Sequence, residues 1–97
     1  MKNLAVTQGA KLLKAMGNEK RLEILYNLSK GELNVGELEK IVGLSQSALS
    51  QHLAVLRAEN IVKTRRVAQT IFYSIQSEKV LKVLSLLDEI FNSPYKG

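Results

Sequence analysis

Cysteine is absent from the chain, which excludes disulfides, thiolate metal ligands and thiol nucleophiles together. Histidine occurs once, at His52. One imidazole, no thiol, no phosphate-cradling glycine loop and no convincing pair of acids leave too few parts for an active site. The chain therefore reads as a non-enzyme, with no metal site and no cofactor. Long apolar runs are missing as well. Nothing approaches the length of a membrane span, and Leu4-Ala5-Val6 behind Lys2 is too brief for a signal-peptide core. A cytoplasmic protein with no membrane partner is expected, which the lack of cysteine fits. The one proline, Pro94, falls in a tail expected to fray. Linkers, repeats and low-complexity stretches are absent too, so residues 1–97 are expected to form a single domain.

Apolar residues make up 45% of the chain and charged ones 24%, the mix of an ordinary folded domain. The net charge is +5 and the pI is near 9.6, a balance suited to a polyanionic partner. Its distribution says more than its size. Arg57, Lys63, Arg65 and Arg66 face a single acid, Glu59, whereas Glu32, Glu37 and Glu39 share their segment with no base. Such asymmetry is what phosphate neutralisation requires.

Along the chain, residues 4–16 form a first amphipathic helix with Leu4, Ala5, Leu12, Leu13 and Met16 on its apolar side. Gly17 breaks it and Asn18 caps a second helix, whose buried stripe is Leu22, Leu25, Tyr26 and Leu28 and which ends at Gly31. Asn34 and Glu37 have capping-box spacing, and Val35, Leu38, Ile41 and Val42 follow on a short third helix. Gly43 permits a sharp reversal and Ser45 caps the next helix. There Leu49, Leu53 and Leu56 recur at helical spacing, while Gln46, Ser47, Ser50, Gln51 and Ala54 share the opposite side. A merely solvated helix face carries Glu and Lys, because they are good helix formers and serine is a poor one. Short hydrogen-bonding side chains suit a helix that must approach base edges in a major groove. Short helix, glycine turn and polar-faced helix make a helix-turn-helix.

Asn60 stops that helix and the period changes. Ile61–Arg65 and Thr70–Ile75 read as strands bracketing a turn at Arg66-Val67-Ala68-Gln69, a β-hairpin wing with Tyr73 turned to the core. The candidate DNA-binding residues are Ser45, Gln46, Ser47, Ser50, Gln51 and His52 on the recognition helix, Arg57 at its end, and Lys63, Arg65, Arg66, Gln69 and Thr70 on the wing. His52 adjoins the apolar side and either packs or meets a phosphate; Arg57 either reaches the DNA backbone or pairs with a nearby glutamate. Ser77 caps a last helix to about Asn92 that is apolar nearly all round. Either it lies deep in the fold or, in so small a domain, it buries its second side against another copy. The expected dimer interface is Leu4, Leu12 and Leu13 with Val80, Val83, Leu84, Leu87, Ile90 and Phe91. The fold is thus expected to be mainly α with a small β-hairpin, in the order α-α-α-α-β-β-α.

Leu44-Ser45-Gln46-Ser47-Ala48-Leu49-Ser50-Gln51-His52-Leu53, Leu56-Arg57 and Ala68-Gln69-Thr70-Ile71-Phe72-Tyr73 resemble the ArsR/SmtB family of winged helix-turn-helix repressors across nearly the whole chain. Together with Met16-Gly17-Asn18-Glu19-Lys20-Arg21-Leu22, they are most similar to its HlyU/NolR-like branch. The resemblance implies a homodimer on a promoter inverted repeat, joined through first and last helices. It most readily implies a repressor; activation by displacing a silencing protein is the alternative within that branch, and a protein-interaction module is the alternative outside it. The family's sensing chemistry does not carry over. Asn34 and Gly36 stand where metal-binding members have cysteines, Asp88 and Glu89 on the last helix lack histidine companions, and Tyr26 and Asn92 occupy the places of the thiol-switch pair. No residue names a small-molecule inducer.

Overall fold

A computed structural model describes residues 2–92; Pro94 and its expected frayed tail lie outside them. The order is α1 Asn3–Met16, α2 Glu19–Leu28, β1 Leu33–Asn34, α3 Val35–Val42, α4 Gln46–Ala58, β2 Val62–Val67, β3 Thr70–Ile75 and α5 Glu78–Asn92. The strands form one antiparallel sheet in the order β1-β3-β2.

Local chemistry sets most boundaries. The Asn18 side chain accepts from the Lys20 and Arg21 amides and starts α2. Asn34 and Glu37 satisfy each other's backbone donors at 2.8 and 2.9 Å, closing the capping box of α3. Gly43 ends α3 at φ +66°, a conformation that costs a side chain roughly 1–2 kcal/mol, and frees the chain to turn into α4. Ser45 Oγ accepts from the Ala48 amide at 3.2 Å. Asn60 turns out of α4 at φ +57°, and Ser77 Oγ accepts from Val80 N in the first turn of α5.

The core gathers Leu25 and Leu28 of α2, Leu38 and Val42 of α3, Leu49, Leu53 and Leu56 of α4, then Ile61, Val62 and Tyr73 of the wing base. Several expectations are corrected. Tyr26 is half-exposed under the Lys30 ammonium, and Ile24 is wholly buried in its stead. Two positions differ by about 200° around a helix, so with Leu25 and Leu28 fixed inward Ile24 faces the core and Tyr26 does not. Ile41 is likewise exposed on α3. The expected hairpin is present as β2 and β3, and it gains a third strand that was not expected: Leu33 pairs with Tyr73 and Asn34 with Phe72. Its turn is only Ala68-Gln69, because Arg66 and Val67 continue the ladder opposite Ile71 and Thr70. Ala68 takes φ +55°, where glycine is usual.

Candidate nucleic-acid interface

The tight turn at Gly43 sets α3 and α4 against α2 and leaves one side of α4 open. Gln46, Ser47, Ser50, Gln51 and Ala54 are all exposed there, and α4 contains no acid. The buried leucine stripe fixes which face this must be, since between those leucines helical geometry turns Ser50, Gln51 and Ala54 away from it and leaves only His52 half-buried at its border. Ser45 is spent on its cap and lies 3.4 Å from Ser47 through their hydroxyls.

The wing folds back toward the start of this helix. Gln46 lines one open cleft of about 410 Å³ with Gln69, Thr70 and Ile71 from the wing and Asn34, Val35 and Gly36 from the start of α3. Candidates 23 and 24 positions apart in sequence thus meet across one groove. The cations are arranged less simply. Lys63, Arg65 and Arg66 are exposed on β2. Arg65 donates from Nε and Nη2 to the two carboxylate oxygens of Glu32, at 3.0 and 2.6 Å, and its guanidinium covers the Phe72 ring at 4.8 Å. That hydrogen bond holds the Glu32 carboxyl below its ordinary range. The acidic segment around Glu32 therefore does not stand apart from the basic wing; it is tied to the wing's base. Arg66 folds over the turn and donates to the Ala68 carbonyl at 3.1 Å. Arg57, exposed in the last turn of α4, has no carboxylate within ion-pair distance among the described residues.

His52 is half-buried beside the polar face, its Nδ1 3.2 Å from Arg21 Nη1. Arg21 and Glu32 join this surface without a sequence signal that marks them for it. Glu32 was visible only as a charge without a base nearby, and Arg21 only inside a family-like run. Lys20 also ties elements together, donating to the Val42 carbonyl at 2.8 Å where α3 ends.

A second surface lies on α1 and α5. Leu4 is 68% exposed, Leu13 61%, Ile90 57% and Phe91 77%, and Val6, Leu81 and Leu86 join them in solvent. Leu12, Val83 and Leu84 are half-buried against the core, and Leu87 is half-buried. Val80 is corrected: expected at the dimer interface, it is 0% exposed inside the single chain, because the Ser77 cap turns the first α5 turn onto the core.

A helix-turn-helix whose polar recognition helix shares a groove with a β wing defines a winged helix-turn-helix DNA-binding protein. The sequence signature of the bacterial regulatory proteins of the arsR family matches residues 18–64. The chain is 60% identical to nodulation protein NolR of Rhizobium meliloti over 84% of this chain and 67% of that one. It is 54% identical to the transcriptional activator HlyU of Vibrio cholerae over 82% of this chain and 74% of that one. A biofilm growth-associated repressor of Agrobacterium fabrum is 42% identical over 91% of this chain and 75% of that one. The solved HlyU structure from Vibrio cholerae superposes with a TM-score of 0.88, covering 96% of this chain and 100% of that one at 47% identity. A homodimeric winged helix-turn-helix domain, Mb0332 of Mycobacterium bovis, superposes with a TM-score of 0.82 at 26% identity, over 95% and 88% of the two chains. This chain belongs to the ArsR family and is a DNA-binding transcriptional regulator. No helix among the described residues is long and apolar enough to cross a membrane.

Proposed function

We propose that the chain is a single DNA-binding and dimerisation domain that acts in the cytoplasm, without enzymatic activity, as a homodimer on a promoter inverted repeat. One copy of α4 enters the major groove in each half-site, with recognition helices about 34–36 Å apart to match successive turns. Gln46 and Gln51 address adenine edges, and Ser47 and Ser50 address bases or phosphates. Lys63, Arg65, Arg66, Gln69 and Thr70 follow the backbone or the adjacent minor groove, while Arg57 meets a phosphate at the far end of α4. Leu4, Leu12, Leu13, Val83, Leu84, Leu87, Ile90 and Phe91 bury themselves against the second copy. Occupying the promoter blocks polymerase, so the default outcome is repression, as the biofilm relative's name also has it. The activator name of HlyU favours a second reading, in which the same occupancy displaces a silencing protein.

The observation that carries the proposal is the groove shared by Gln46, Gln69 and Thr70 beside a recognition helix without acids. Selection of bound fragments from genomic DNA, then titration of the best site over a salt series, tests it. A palindromic site and a steep fall of affinity with salt are expected. Gln46→Ala is expected to lose about 1–3 kcal/mol of discrimination while keeping the salt slope. Weak, motif-free binding indifferent to that substitution would remove α4 as the reading element.

A further inference from the structure

The reading face of α4 is exposed at Gln46, Ser47, Ser50 and Gln51, yet the residue beside it, His52, is half-buried and held. Arg21 reaches it from α2, with Nη1 3.2 Å from Nδ1. The same guanidinium donates from Nε to the Ala15 carbonyl at 2.6 Å and from Nη2 to the Lys14 carbonyl at 3.3 Å. One side chain thus joins the end of α1, its own helix and the recognition helix.

The chemistry of this contact decides the state of the ring. A guanidinium has donors and no acceptor, so Nδ1 is the acceptor and the neutral ring carries its proton on Nε2. Nε2 has no hydrogen-bond partner among the described residues, where no polar side-chain atom is both buried and unpartnered. The Nε2–H therefore opens to solvent at the border of the Ser-Gln face.

We infer that Arg21 is a positioning residue for DNA binding, which locks His52 as the Nε2–H tautomer and presents that N–H to a backbone phosphate. The inference rests on the DNA-binding reading above and assigns His52 a role within it. A free imidazole exchanges tautomers and takes up a second proton near neutrality, so its donor has no fixed place. Here burial, and after it repulsion by Arg21, holds the ring's pKa below the ordinary 6.5, keeping it a neutral donor at neutral pH. Among the described residues, Arg21 is the charged group that acts on this ring. Because Arg21 also grips the last carbonyls of α1, whose Leu4 and Leu13 belong to the proposed dimer face, it fixes the phosphate-facing ring relative to that helix as well.

His52 is the only histidine, so its two ring nitrogens can be read directly in a long-range proton–nitrogen spectrum of the labelled protein. The wild-type ring is expected to be Nε2–H; Arg21→Gln should release it to a tautomer mixture and raise its pKa. On the selected duplex, Arg21→Gln and His52→Phe should each weaken binding about tenfold, the worth of one phosphate hydrogen bond. The double variant should bind no worse than His52→Phe, and the salt slope should stay unchanged because a neutral ring displaces no counterion. Arg21→Lys keeps the charge without the fork and should release the ring too, which serves as the second variant should Arg21→Gln fail to fold. A wild-type ring protonated on Nδ1, additive losses in the double variant, or a salt slope reduced by about 1 in Arg21→Gln would each overturn the inference. The last would mean that Arg21 itself neutralises a phosphate. A locked ring in a protein without affinity for any duplex would instead overturn the DNA reading, and the positioning role with it.

Discussion

Helices α4 and α5 are both leucine-rich, and they meet opposite ends. In α4 the three leucines at helical spacing are fully or almost fully buried, and its other face is polar. In α5 only Val80 is buried, while Leu81, Leu86, Ile90 and Phe91 stand in solvent. The helix-turn-helix and wing close their core within one chain. The outer pair, α1 and α5, does not, and large apolar surface left open on a small domain marks a contact with another surface. Under the proposed function, reading DNA and joining copies fall to different helices, which Arg21 and the half-buried Leu12, Val83 and Leu84 tie to the common core.

The largest effect that would sharpen this contrast is in the self-sufficient half. Leu53→Ala removes a side chain enclosed on all sides, and a loss of about 2–5 kcal/mol is expected in denaturant unfolding. Ile90→Asp tests the other half. It should leave the fold intact, convert the protein to monomers in analytical ultracentrifugation, and weaken binding to a two-half-site duplex roughly 100-fold or more as avidity is lost. A dimer unmoved by Ile90→Asp would break the comparison outright.

Smaller changes probe the ties inside the first half. Glu32 offsets the charge that Arg65 can offer a phosphate, so Glu32→Gln is expected to raise duplex affinity a few-fold at low salt, measured by anisotropy. The carboxyl's pKa is lowered in the fold, chiefly by the Arg65 hydrogen bond, so the tie is present above the ordinary value of 4.5 and is lost as pH falls through the lowered one. Smallest of all, Ala68→Gly relieves a left-handed residue in the wing turn and should stabilise the protein by about 1 kcal/mol or less, visible as a slightly higher melting temperature.

The sequence by itself determined what neighbours within a turn or two decide. Asn18, Asn34, Ser45 and Ser77 announce helix starts because a cap acts on amides two or three residues away. The leucine spacing of α4 fixes its buried face, and with it the exposed Gln46, Ser47, Ser50 and Gln51. Tertiary structure decided the rest. A two-residue strand such as Leu33–Asn34 has no alternation to read and exists only because the edge of β3 is there to pair with it. Ile24 displaced Tyr26 because the core lies to one side of α2, and Val80 left the interface because the chain turns inward at Ser77. The ties of Arg65 to Glu32 and of Arg21 to His52 span 33 and 31 residues. No local periodicity encodes such a pair: charge and donor count say that each group needs a partner, and only the packing of helices and sheet says which one stands within reach.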